Sequence, residues 1–177
     1  MTPTEFEESV RQDLYAYLLA QGEVDERFPE APDIEERWEA IATAYLPDGM
    51  REFTGYPRVS LGWMMYVGMA IAYYWDDAWD IYGQVDDLYA RLRDKRGYDA
   101  MDEYIREEVL QLQGKDYDAA EELVSECAAR TYSRMMHSDI EAGTADAYRA
   151  YVGALHQLYL MGAAVQLRRM GYHMERL

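Results

Sequence analysis

Seventeen consecutive residues without a charge, Val59 to Trp75, constrain this chain more than any other stretch, and Asp76-Asp77-Ala78-Trp79-Asp80 follows them directly. A helix that crosses a bilayer needs about 20 predominantly apolar residues. This run is shorter, is diluted by Ser60, Gly62, Gly68 and three tyrosines, and closes on carboxylates. Outside a membrane, a helix that is apolar all round lies in the middle of a bundle. The run therefore predicts a buried central helix over roughly Ser60–Tyr82 and an all-α fold around it.

At about 100° per residue, Val67, Ile71, Tyr74, Ala78, Ile81 and Val85 form one stripe. Leu88 and Leu92 join it if the helix continues past Gly83, a residue expected to break or kink it. The opposite side carries Gly62, Met65, Met69, Ala72 and Tyr73, then Asp76 and Asp80. The first half of the helix thus needs cover on two sides, and the second half is amphipathic.

The rest of the chain reads as further helices. Thr2 or Thr4 caps a first helix to about Gln21, with Phe6, Val10, Leu14, Tyr17 and Leu18 at helical spacing. Residues 23–33, with Pro29 and Pro32, form a connection. A second helix starts at Asp33 and stops at Pro47-Asp48-Gly49. After the central helix, a shorter one covers about Tyr98–Leu112. A long one covers Asp118–Glu141, with Leu123, Val124, Cys127, Ala128, Thr131, Tyr132 and Met135 inward. Thr144 caps a last helix over Ala145–Met170 that is again largely apolar. No segment alternates as a half-buried strand does. The expectation is a single helical-bundle domain over 1–177, with six or seven helices and the third and last as core pair. Both carry Tyr-Val-Gly, at Tyr66-Val67-Gly68 and Tyr151-Val152-Gly153, 85 residues apart. That match reads either as a trace of duplication or as glycine allowing two helices to approach closely.

Acidic residues outnumber basic ones 34 to 17, for a net charge of −17. Such a field repels phosphate backbones and anionic membrane surfaces, so the expected partners exclude nucleic acid and membrane. Cys127 is the only cysteine, which excludes an internal disulfide and a cysteine-built zinc site. The first residues have neither the basic start nor the apolar stretch of a secretion signal. A cytoplasmic location is the expectation.

Asp76-Asp77-x-x-Asp80 is the one chemical motif. It resembles the first aspartate-rich motif of the isoprenoid synthases, whose carboxylates hold Mg²⁺ against a substrate diphosphate. The resemblance covers five residues, and the nearest acidic candidate for a second motif, Ser138-Asp139-Ile140-Glu141, does not match the family pattern. Mg²⁺ suits such a site, since it takes carboxylate oxygens and bridges to phosphate. A solvated helix face accounts for the same aspartates without any cofactor. Glu35, Glu36 and Glu39, set against Asp77 and Asp80, resemble loosely the acidic pairs of all-α nucleotide pyrophosphatases. His137 and Glu141, four apart, read as a surface pair, His156 as a hydrogen-bonded core histidine, and His173 lies near the end of the last helix.

Three functional readings follow. The first is a helical domain acting through protein contacts, as a homodimer or a subunit. It rests on 17 Tyr, 4 Trp and 11 Met, residue types favoured at interfaces, with Gly62, Met65, Met69 and Tyr73 as the expected contact face. The second is a Mg²⁺-dependent diphosphate-processing enzyme using Asp76, Asp77 and Asp80. The third is a bundle enclosing an apolar ligand among Met65, Met69, Tyr73 and Tyr159.

Overall fold

The structure, a computed structural model, describes residues 1–27 and 31–172. Pro29 of the expected connection and His173 lie outside the described residues. The elements are α1 Pro3–Ala20, α2 Pro32–Glu36, α3 Trp38–Phe53, α4 Pro57–Tyr82, α5 Leu88–Arg93 and α6 Met101–Tyr104. A π-helical turn, Ile105–Val109, continues α6, and α7 Gly114–Met136 and α8 Ala145–Arg169 complete the fold. Among the described residues there is no strand.

Local chemistry sets several of these boundaries. Thr2 caps α1 by accepting from the Glu5 amide, and the Glu5 carboxylate returns a bond to the Thr2 amide. This reciprocal box satisfies two donors that a helix start otherwise leaves open. Thr144 caps α8 by accepting from the Ala147 amide, without a reciprocal bond. Asp87 caps α5 through the Ala90 amide.

Several boundaries differ from the expectation, including the second helix, which is split at Arg37 into α2 and α3. The second helix does not stop at Pro47-Asp48-Gly49: α3 runs through them to Phe53. Pro47 is exposed, so water reaches the carbonyl that its missing N–H leaves open. Tertiary contacts hold the next turn in place. Asp48 accepts from the Tyr89 hydroxyl at 2.6 Å and from Arg93 at 3.2 Å. The Gly49 carbonyl accepts from the Ser60 hydroxyl at 3.0 Å. Gly49 has no room for a side chain, because a Cβ there would stand 2.5 Å from the Tyr45 ring. The central stripe, secondly, does not continue as one helix. The backbone leaves helical geometry at Ala78 (φ −159°, ψ 67°), and Gly83 ends α4, so Leu88 and Leu92 are buried from the separate α5. Thirdly, the helix expected over Tyr98–Leu112 is only α6 and its π turn. α7 ends at Met136, so His137 and Glu141 are not one turn apart on a helix.

The long helices alternate in direction. Tyr151, near the start of α8, meets Ser60, near the start of α4. Tyr172, just beyond α8, meets Trp75 and Asp76 near the end of α4. These two core helices are therefore parallel. α1 runs with them, since Glu7 bonds Gln157 and Glu23 pairs with Arg169. α3 and α7 run the other way. Phe53 packs on Tyr151 while Trp38 packs on Tyr159, and Gly62 faces Val124 and Ala128 while Arg58 lies over Tyr132.

Glycine sets how closely the core pair approaches. A Cβ on Gly68 would run into the Tyr159 carbonyl, 2.9 Å from its carbon. A Cβ on Gly162 would run into the Met65 carbonyl, 3.0 Å from its carbon. Each glycine thus receives the backbone three residues before the other. Gly153, the glycine of the second Tyr-Val-Gly, instead makes room for Glu7 of α1. Close approach accounts for Gly68, but its partner is Gly162, and the shared tripeptide marks no equivalent position. Among the described residues, no helix is long and apolar enough to cross a membrane.

Candidate functional site

The aspartates come first. Asp76, Asp77 and Asp80 are all exposed. The break at Ala78 falls between Asp76 and Asp80, so they are not successive turns of one helix face, as the i, i+4 spacing implies. The Tyr172 hydroxyl donates to Asp76, and the Trp75 indole donates to Asp33 at 3.1 Å. Ser138-Asp139-Ile140-Glu141 follows the end of α7, at the opposite end of the bundle. Most of the length of α4 separates these two acidic groups, whereas a metal-bridged diphosphate needs them face to face. Glu35 turns to His156, and Glu36 and Glu39 are exposed. Among the described residues, no three of His, Cys, Asp and Glu come together as a metal-holding group.

The side of α4 expected to face a partner is covered by the chain itself. Met65 and Met69 are 0% exposed and Gly62 is buried, while Tyr73 is half-buried. Val124 and Ala128 of α7 lie against Gly62, and α8 lies against Met65. The physical reason is the close helix approach just described, which closes the Gly62, Met65 and Met69 side of α4. Met65, Met69 and Tyr159 are likewise packed against one another's helices, and the Tyr159 hydroxyl donates to the Ile34 carbonyl at 2.6 Å.

Two polar clusters, one buried and one partly exposed, come from residues that local sequence does not connect. One surrounds Arg106, which the π turn places inside. Its guanidinium pairs with Asp102 at 2.8 Å and Glu121 at 3.2 Å and lies over the rings of Tyr117 and Tyr66. Burial raises the Asp102 carboxyl above its ordinary range against the pull of Arg106. The other joins α1, α2 and α8. His156 Nε2 lies 2.8 Å from Glu35 Oε1, and Nδ1 lies 3.6 Å from Glu7 Oε2. The Gln157 amide donates to Glu7 at 2.7 Å, and the imidazole stacks on Trp38 at 4.7 Å and 12°. His156 is thus a half-buried ion-pair residue as well as a hydrogen-bonded one. Its only local signal is a histidine and glutamine side by side in an apolar helix. Cys127 is buried, and burial pushes its thiol up to about 12, so it is protonated and unreactive at neutral pH.

The bundle ends also carry exposed apolar side chains: Leu19, Ile81 and Tyr172 lie at one end, and a second group lies at the other. Tyr56 is 67% exposed, Met136 63%, Met50 46% and Tyr148 44%. Met50 is in the last turn of α3, Tyr56 precedes α4, Met136 ends α7 and Tyr148 is in the first turn of α8. The helix directions bring all four to one end of the bundle. The polar groups among them are largely paired: Arg51 with Asp48 and Glu52, Arg149 with Asp146, and Arg134 with Asp13. Arg58 lies over Tyr132 without a carboxylate within 4.0 Å among the described residues. No protein-family model, curated protein or solved structure matches the chain.

Proposed function

We propose that this chain is a contact module that binds protein surface, in the first place a second copy of itself, through the end that carries Met50, Tyr56, Met136 and Tyr148. The observation that carries this reading is that four large exposed apolar side chains, three from helices and Tyr56 from the residue before α4, lie at one end of an acidic molecule. Tyrosine and methionine at such a patch suit an interface, because they supply apolar area with an adaptable or polar tip. Electrostatics supports a second copy at this place. Two chains of net charge −17 repel on average. At this end several charges pair off locally, and Arg58 adds a cation with no carboxylate within 4.0 Å among the described residues, which offsets part of that repulsion.

Sedimentation tests the reading. The wild-type chain at micromolar concentration is expected at twice its 20.6 kDa mass. Tyr56→Asp with Met136→Asp should return it to a single chain while leaving the helical circular dichroism intact. A wild-type chain that sediments alone refutes self-association.

A further inference from the structure

We infer that His156 is a pH-sensitive clasp which fastens α2 and α1 to α8 while its imidazole carries both protons. The geometry comes from three elements. Glu35 of α2 faces Nε2 at 2.8 Å, and Glu7 of α1 faces Nδ1 at 3.6 Å. Trp38, at the start of α3, covers the ring face. Both ring nitrogens therefore look at carboxylates. Only the imidazolium has an N–H for each. A neutral imidazole directs one lone pair at a carboxylate, whichever tautomer it adopts, and its remaining N–H loses charge assistance.

The surroundings contain no rival for this role. From α1, the groups acting on the site are Glu7 and, through Glu7, Arg11. α2 contributes Glu35 and α3 the uncharged Trp38. Arg37, between α2 and α3, is occupied with the Gly83 carbonyl and the Trp79 ring. On α8 the neighbours are Gln157, bonded to Glu7, and the Tyr159 phenol, bonded to the Ile34 carbonyl. α2 has five residues, too few to stand alone, so its position rests on buried Ile34, these bonds and the Trp75–Asp33 contact.

The direction with pH follows. Burial pulls His156 down, and the pairing with Glu7 and Glu35 more than offsets it, so its pKa lies above the ordinary 6.5. The pairing with His156 lowers Glu7 below its ordinary 4.5 against burial. The histidine's contribution is complete below the unfolded value and is lost as pH rises through the raised folded value. The glutamate's contribution is present above its unfolded value and is lost as pH falls through the lowered one. The clasp is closed between these two folded-state values and opens on either side.

Imidazole NMR titration combined with amide exchange, corrected for the intrinsic pH dependence of exchange, tests this on the wild-type chain. One histidine, identified by its loss in His156→Asn, should titrate above 6.5. Protection of the Ile34 to Trp38 amides should fall about two- to fivefold across that titration, the size of a partly exposed ion pair. Amides of Met64 to Ala70 should stay unchanged. Glu7→Gln with Glu35→Gln should lower the His156 pKa and remove the pH dependence of the α2 amides. Titration of His156 at or below 6.5, or α2 protection that stays constant through it, overturns the proposal, and the wild-type measurements decide this even if a variant does not fold. This outcome is independent of self-association, because the clasp lies away from the exposed Tyr and Met end.

Discussion

Replacing Gly68 or Gly162 with alanine should part the two core helices. The added methyl at residue 68 meets the Tyr159 carbonyl, and the one at 162 meets the Met65 carbonyl. Both obstacles are backbone atoms of a buried helix, which cannot turn aside as the tip of a side chain can. The axes must separate by about 1 Å, and a gap of that size forfeits roughly a quarter to a half of each dispersion contact across it. Summed over the side chains packed along α4 and α8, the cost is on the order of 3 kcal/mol, at the upper end for an overpacked core. The better helix propensity of alanine returns about 1 kcal/mol, leaving a net loss near 2 kcal/mol. Two other glycines calibrate the effect. A Cβ at Gly62 would meet Val124 Cγ1 at 3.3 Å, a side-chain atom able to shift, and at Gly55 it would meet nothing within 4 Å. Gly62→Ala and Gly55→Ala should each lie within about 1 kcal/mol of wild type. Urea unfolding followed by circular dichroism gives all four values. The double variant should cost less than the sum of the two singles, because the first methyl already opens the gap used by the second. If Gly68→Ala and Gly162→Ala unfold at the wild-type midpoint, the close crossing is not what holds this pair together.

Two further expectations are simpler. Calorimetry with Mg²⁺ and Mn²⁺ should give only weak, nonspecific heats at Asp76, Asp77 and Asp80; a micromolar site abolished by Asp76→Ala or Asp80→Ala would restore the diphosphate reading. Arg106→Ala should cost about 3 kcal/mol in the same unfolding assay, because it strands Asp102 beside a buried void; a loss under 1 kcal/mol would mean that the cluster contributes little beyond packing.

The apolar stretches of α4 and α8 announced a buried pair because no other placement hides that many uncharged residues. The Thr144 cap, a threonine cap at Thr2 or Thr4, and the buried face of α7 were legible for an equally local reason: the decisive neighbours lie within a few residues. Pro47 was misleading because its local signal, a lost donor, is outweighed by distant groups: Asp48 is held by Tyr89 and Arg93, and Gly49 receives Ser60. The π turn was hidden for a similar reason, since Arg106 looks like a surface arginine until Asp102, Glu121 and two tyrosines surround it. The candidate site was the least legible part. Glu7, Glu35 and His156 are scattered over most of the chain, and the end patch gathers residues from three helices and the turn before α4, so neither has a local spacing to detect.

The two apolar sides of the first half of α4 implied cover on both, but the spacing alone does not identify the covering elements. The fold answers with small residues. Gly62 admits α7, Gly68 and Gly162 admit each other's helices, and the methionines fill the irregular space that remains. Satisfying α4 internally changes where a partner can bind. A contact face along the middle of the helix would compete with α7 and α8 and would require the bundle to open. A contact at the end would not displace a core helix, since Tyr56, Met136, Met50 and Tyr148 are already exposed. The Tyr and Met residues thus serve two uses: Met64, Met65, Met69 and Tyr159 help complete the core, while others, Met50, Tyr56, Met136 and Tyr148 among them, remain at the surface where helices begin and finish. Self-association at that end would leave the His156 clasp free to respond to pH on its own.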